Sequence, residues 1–306
     1  MKRIRIGTRA SKLALVQANA IKSAIERKHA GISVEIIKIK TTGDKILDVP
    51  LAKIGGKGLF VKEIEEMLLR RDVDIAVHSM KDVPVEIPEG LGIVVTTKRE
   101  DPRDVLISSD GRRLYELNNA LIGTSSLRRQ VQLKNILRSP IIENLRGNLD
   151  TRIRKLKEGR YDAVIVAMAG LRRMGLQAEV TEVIPTDVML PAVGQGCLGI
   201  EAHMDNMEVR DRLLFLNDRK SAVEISAERA FLKTLGGGCQ VPIAGYAELK
   251  NGGLVLRGLV ASLDGNQIIE GTKKGKPGEA EKIGEELAKE MLESGAREVL
   301  KEVYGN

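Results

Sequence analysis

Two short stretches hold the most chemically capable side chains of the sequence. In "GGGCQVP" (236–242), Cys239 stands behind three glycines and ahead of a proline. The glycines strip Cβ atoms from the approach to the sulfur and open positive φ, while the proline stiffens the exit. Such a loop suits a thiol that a bulky group must reach or stay attached to. The plain alternative is a small buried hydrophobe in a tight turn. In "HSMKDVP" (78–84), Asp82 follows the apolar strand signal "DIAVHS" at its carboxyl end, where open α/β sheets bind ligands. An aspartate there suits general acid/base work or the holding of a cation, and is otherwise an N-cap or turn residue. His78 reads as a packed strand-end histidine.

The arginines form a second pattern. "GTSSLRRQ" (123–130) is a strand ending in Gly-Thr-Ser-Ser that opens a helix. Backbone N–H groups, the hydroxyls of Thr124, Ser125 and Ser126, and the helix dipole make an anion site there, with Arg128 and Arg129 beside it. "NLRGNLDTRIRK" repeats the device with Arg146, Arg152 and Arg154, "AGLRRMG" with Arg172 and Arg173, and Arg9 closes the first strand just before Ser11. Arginine is the residue for bidentate capture of carboxylates and phosphates. Four clusters at strand ends or the helix starts after them imply an elongated polyanion lying in a cleft between two lobes.

Two other glycine motifs do not survive inspection. "GQGCLG" from Gly194 matches G-x-G-x-x-G, but a proline-containing loop precedes it and a strand follows, so a dinucleotide fingerprint is not expected. "KIGGKGLF" lacks the first glycine and the final Ser/Thr of a phosphate loop. It closes the long stretch "TTGDKILDVPLAKIGGKG", expected to be structureless and to act as a glycine-lysine flap.

Elements must position these groups. "RIRIGTR", "SVEIIKI" and "DIAVHS" read as strands separated by the helices "SKLALVQANAIKSAIERK", capped by Ser11, and "FVKEIEEMLLRR". That order implies a parallel sheet covered on both faces. After "KREDPRD" it restarts, with strands "DVLIS", "LIGT", "IIENLR" and "DAVIVAMAG" and helices "SLRRQVQLKNILR" and "LDTRIRKLKEG". The last third is different: a helix, "AVEISAERAFLKTL", runs into the glycine loop, then three strands follow, joined at "KNGG" and "LDGN" as antiparallel hairpins, and two amphipathic helices close the chain.

Composition bounds the rest. The 306 residues suffice for two or three domains, and 42% hydrophobic with 30% charged residues is ordinary for a globular protein. No apolar run approaches a membrane span and the N-terminus has no signal-peptide pattern, so no membrane partner and a cytoplasmic setting are expected. Two cysteines agree with a reducing compartment. Three scattered histidines make a metal site unexpected. The net charge of +7 does not point to nucleic acid, because aromatics are 2% and most lysines sit among glutamates on helix faces.

Taken together, the Cys239 loop, "HSMKDVP", "GTSSLRRQ", "NLRGN", "PAVGQG" and "GGKGLF" resemble, in order and over essentially the whole chain, the porphobilinogen deaminase (hydroxymethylbilane synthase) family. The resemblance implies two periplasmic-binding-protein-like α/β domains facing a cleft plus a small C-terminal α+β domain with an antiparallel sheet. Their expected spans are 1–97 with 195–216, then 98–194, then 217–306. It implies a transferase that joins four porphobilinogen units into hydroxymethylbilane with release of ammonia, acting as a monomer and primed on a dipyrromethane cofactor. By resemblance the cofactor is bound by a thioether to Cys239, and its carboxylates are held by Lys81, Thr124, Ser125, Ser126, Arg128 and Arg129. Asp82 serves the proton transfers. Arg9, Ser11, Arg146, Arg152 and Arg173 hold the carboxylates of the substrate and growing chain, with Gln195 nearby. Lys53, Lys57 and Phe60 belong to the flap, and Cys197 is structural.

Overall fold

The computed structural model describes residues 2–45, 61–237 and 241–304. Strand β1 (Arg3–Arg9) buries Ile4 and Ile6 on one face, and α1 (Lys12–Lys28) follows at once because the Ser11 Oγ accepts the Ala14 N–H at 3.3 Å, capping its first turn. Ala18, Ile21 and Ile25 of α1 close over β1 and β2 (Ser33–Ile39), which pair in parallel from Arg3↔Ser33 to Arg9↔Ile39. A single helical turn, α2 (Thr42–Lys45), stands where the start of the long loop was expected to be structureless. Next come α3 (Lys62–Leu69), β3 (Ile75–Ser79) and β4 (Leu91–Thr96).

The chain then crosses to a second unit made of β5 (Asp104–Ser108), β6 (Leu121–Gly123), α4 (Leu127–Ile136), β7 (Ile141–Glu143), α5 (Leu149–Lys157), β8 (Ala163–Ala167), α6 (Met168–Met174) and β9 (Glu182–Val183). It returns as β10 (Leu198–His203), which inserts between β3 and β4. Two five-stranded sheets result, ordered β2-β1-β3-β10-β4 and β7-β6-β8-β5-β9.

Neither sheet is wholly parallel, which corrects the expectation. β10 runs antiparallel to both neighbours, and β5 runs antiparallel to β8. The registers give the reason. Leu198 pairs with Ser79 and Asp104 with Ala167, so each crossing segment enters the new sheet at the carboxyl end of a parallel strand and must run back the other way. Two further corrections move arginines. β7 stops at Glu143, three residues before Arg146, and the apolar run "DAVIVAMAG" leaves strand geometry at Ala167. Arg172 and Arg173 therefore lie in the last turn of α6, which Gly175 ends at φ 68°. A continuous apolar run has no period to separate strand from buried helix.

The last third is as expected. After α7 (Met207–Leu213), α8 (Arg219–Thr234) begins at Asp218, whose carboxylate accepts the Ser221 N–H at 2.8 Å. Strands β11 (Ile243–Lys250), β12 (Gly253–Ala261) and β13 (Ile268–Gly275) form an antiparallel meander. Asn251 and Gly252 turn the first hairpin with φ of 51° and 77°, the positive pair that a two-residue turn requires. Phe231 of α8 is fully buried among Leu256, Leu287 and Met291, under α9 (Ala280–Met291), and α10 (Arg297–Tyr304) closes the layer. Gly284 lets α9 lie against α8, since a Cβ there would overlap the Ala227 carbonyl oxygen. Among the described residues no helix is long and apolar enough to cross a membrane.

Candidate active site

β3 ends in one tight turn, Met80–Asp82, which buries Met80 and leaves Lys81 and Asp82 half-buried. The loop before β10 is pressed onto that turn. Gly194, at φ 76°, would bring a Cβ within 3.0 Å of the Lys81 backbone nitrogen. Arg9, Ser11, Gln17, His78, Ser79 and Asp82 line one pocket at this edge of the first sheet. Three sequence stretches thus converge there.

The second unit supplies the opposite wall. Arg128 and Arg129, in the first turn of α4, are buried and meet Asp104, whose side chain is wholly buried at the head of β5. The Arg128 Nη2 lies 2.7 Å from Asp104 Oδ2, and the Arg129 Nη2 lies 2.7 Å from Oδ1. Each guanidinium also donates to a backbone carbonyl, Leu190 at 2.7 Å and Ile165 at 3.0 Å. Thr124 is buried and its Oγ1 accepts the Ser126 N–H at 3.3 Å, while the Ser125 hydroxyl donates to the Leu145 carbonyl at 2.9 Å. Gln195 bridges the two units. Its Nε2 donates to Pro102 O at 2.7 Å and to Asp104 Oδ1 at 3.0 Å, and its Oε1 accepts from the Lys81 ammonium at 3.5 Å.

Charge makes these walls one site. Burial pushes the Lys81 ammonium down to about 8, with Arg129 and Arg128 adding to the effect and Asp82 and Asp104 opposing it. Burial likewise pushes the Arg152 guanidinium down to about 10, helped by Arg129 and Arg146 and opposed by Asp82. Cations that destabilise one another in this way are relieved by added carboxylates. A dipyrromethane, with an acetate and a propionate on each ring, fits that demand. Arg152 is held by its Nε donating to the Gly147 carbonyl at 2.9 Å. Arg173 stands at the crossing segments, donating to the Gly196 carbonyl at 2.5 Å, while Arg172 pairs with Glu100 at 2.7 Å.

Cys239, Lys53, Lys57 and Phe60 lie outside the described residues. The glycine loop's flanks are fixed on either side: Gly237 packs where a Cβ would strike Ile243 and Leu232, and Val241 is buried. Cys197 is 1% exposed, and burial pushes its thiol up to about 12, so it is an inert core group. Sequence reasoning passed over Asp104, which stands beside Pro102 and Arg103 in a stretch that reads as a joint. It also passed over Arg99, whose Nη1 lies 2.6 Å from Glu228 and whose Nε donates to the Gln195 carbonyl at 2.9 Å.

Behind the pocket, His78 is buried as expected, with its Nε2 2.9 Å from Glu201. Glu65 of α3 joins them: burial and the nearby Glu201 push its carboxyl up from 4.5 to about 7, against the pull of His78. A raised carboxyl pKa means that the fold favours the protonated form. That stabilisation is complete below about pH 4.5 and is lost as pH rises through about 7. Glu65→Gln fixes the uncharged form and is expected to be more stable than wild type at pH 8, by roughly 2 kcal/mol. The two proteins should melt alike at pH 5. Thermal melts at the two pH values check this, and equal destabilisation at both would contradict it.

Two α/β units joined by two crossing segments, with cationic side chains of both at the junction, define a protein built to hold a polyanion beside a carboxylate. Residues 4–211 match the family model "Porphobilinogen deaminase, dipyromethane cofactor binding domain", and residues 222–293 match "Porphobilinogen deaminase, C-terminal domain". The chain belongs to the porphobilinogen deaminase family. It is 53% identical over 302 residues to a porphobilinogen deaminase of Syntrophobacter fumaroxidans, covering 98% of each chain. It is 55% identical over 304 residues to one of Trichlorobacter lovleyi, covering 99% of this chain and 97% of that one. Among solved structures it is similar to a TRAP periplasmic solute binding protein from Desulfovibrio salexigens, at 12% identity and a TM-score of 0.43 over 70% of this chain and 72% of that one. That likeness is too distant to bear on function.

Proposed function

We propose that this protein condenses four porphobilinogen molecules head to tail into the linear tetrapyrrole hydroxymethylbilane, releasing one ammonia per unit, in porphyrin biosynthesis. The observation that supports the reading is that Asp82 lines one pocket with Arg9 and Ser11 and acts electrostatically on Lys81 and Arg152. When bound to Cys239, a dipyrromethane supplies the pyrrole on which the chain is started. Lys81, Thr124, Ser125, Ser126, Arg128 and Arg129 hold its carboxylates, directly or through the wall they form. Arg9, Ser11, Arg146, Arg152 and Arg173 receive those of the incoming unit, with Gln195 at their junction.

Loss of ammonia from the substrate's aminomethyl arm leaves positive charge spread over its pyrrole ring. A carboxylate beside the ring N–H stabilises that charge, and the same carboxylate accepts the proton lost when the new carbon–carbon bond has formed. Asp82 has both roles. The domains of this reading are 1–97 with 195–216, 98–194 and 217–306, and in it the enzyme works as a cytoplasmic monomer without nucleic acid.

Incubation with porphobilinogen tests the reading. Tetrapyrrole should form with four ammonia released per product. Porphobilinogen binding, seen as a raised melting temperature, without ammonia would instead make the cleft an anion-binding module.

The arginines should fail in two ways. Arg128→Leu or Arg129→Leu should yield largely apo-protein, because their loss breaks the cofactor wall. Arg9→Leu or Arg152→Leu should keep the cofactor, lower turnover by about 10-fold or more and trap partly elongated chains, the cost of a lost charge-assisted contact. Arg70→Leu, where an exposed arginine pairs with Asp72 at 3.1 Å, should cost little. Intact-mass spectrometry after brief exposure to porphobilinogen separates these classes, and a uniform mild effect would contradict the assignment.

A further inference from the structure

An anion-binding wall with a carboxylate buried inside it needs a reason. The Asp104 side chain is wholly buried where the first crossing segment enters the second sheet. Its Oδ1 accepts from Arg129 Nε at 3.2 Å, from Arg129 Nη2 at 2.7 Å and from Gln195 Nε2 at 3.0 Å, and its Oδ2 meets Arg128 Nη2 at 2.7 Å. The remaining contacts fix the far ends: Arg128 and Arg129 on backbone carbonyls, and Gln195 on Pro102 O and, through Lys81, on the turn that carries Asp82.

Electrostatics explains how a carboxylate can sit there without spoiling the site. Two guanidinium groups on adjacent residues would repel each other if buried alone, and one buried carboxylate between them offsets that cost. The same two cations hold the Asp104 carboxyl well below the usual carboxylate range, although burial alone would raise it. It therefore stays ionised at any working pH, and with Lys81 and Arg152 nearby the wall remains positive overall. Asp104 orients the cations but does not neutralise them.

We propose that Asp104 is a positioning residue for anion binding: it holds the Arg128–Arg129 pair and Gln195 in register with Lys81, so that ligand carboxylates meet a preset wall. The inference rests on the function proposed above. Its test therefore includes a readout that does not depend on that function.

Asp104→Asn removes the charge and keeps the shape. Asp104→Glu keeps the charge and displaces it by one methylene. Val131→Ala, a fully buried position on the helix that carries Arg128 and Arg129, serves as the control for destabilisation alone. Two quantities are measured on each full-length protein: the fraction that carries dipyrromethane mass after incubation with porphobilinogen, and the rise in melting temperature caused by citrate, a simple tricarboxylate. The expected result is that Asp104→Asn and Asp104→Glu both load about 10-fold less than Val131→Ala and lose most of the citrate shift, as misplacing a charge-assisted contact would cause. Should Asp104→Asn fail to fold, Asp104→Glu carries the test, since no buried charge is left unpaired. Loading and citrate shifts in the Asp104 variants that match Val131→Ala would overturn the proposal. Failure of wild type to load at all would count against the proposed function, while the citrate comparison still decides the role of Asp104.

Discussion

After exposure to porphobilinogen, Cys239→Ala is expected to stay at its sequence mass and form no product, while Cys197→Ala carries the dipyrromethane and turns over like wild type. The two cysteines of the chain differ in their sequence setting. Cys197 is buried beside the Arg99–Glu228 pair, and its thiol, pushed up to about 12, is neither ionised nor reachable at neutral pH. Cys239 follows three glycines in sequence, which put no side chains ahead of its sulfur, as an anchor for a bulky group would need. The loss should be close to complete, because a primer that is not attached is released with the first product. Intact mass and product formation, measured on both variants, check this. A fully active Cys239→Ala protein would remove the anchor from the mechanism.

Asp82→Asn is expected to lower turnover by about 100-fold or more, the usual scale for a group that moves protons in the rate-limiting chemistry. Asparagine keeps the size and hydrogen-bonding reach but neither the charge nor the proton acceptor. The fold should persist, since Asp82 is only half-buried and ends a single turn at the strand edge. Asp82→Glu should retain part of the rate, because a carboxylate remains, though displaced. Asp82→Asn should still load the cofactor more fully than Arg129→Leu, which separates loss of chemistry from loss of binding. Near wild-type turnover in Asp82→Asn would assign the proton transfers to another group.

Much of this was legible in the sequence because it is encoded locally. The Ser11 cap, the Asn251–Gly252 hairpin and the Met80–Asp82 turn each depend on a few adjacent residues, and each stands where the sequence places it. The Arg128–Arg129 pair at the start of α4 was legible for the same reason. What the sequence does not display is direction and partnership over distance. The reversed course of β10 follows from where the chain re-enters the first sheet, which no local pattern records. Asp104 shows the limit most clearly. Its partners Arg129 and Gln195 lie 25 and 91 residues away, and alone it resembles any aspartate shortly after a proline. The strand end after "DAVIVA" was hidden for a different reason: residues 163–169 are apolar throughout, so periodicity is silent on where strand becomes helix.

The central claim is that the chain carries a covalently attached primer and extends it. Intact-mass spectrometry of the wild-type protein, before and after a short incubation with limiting porphobilinogen, tests it most directly. The expected spectrum is the sequence mass plus one dipyrromethane, followed after incubation by a ladder of peaks each heavier by one further pyrrole unit. A single peak at the sequence mass under both conditions would contradict the claim.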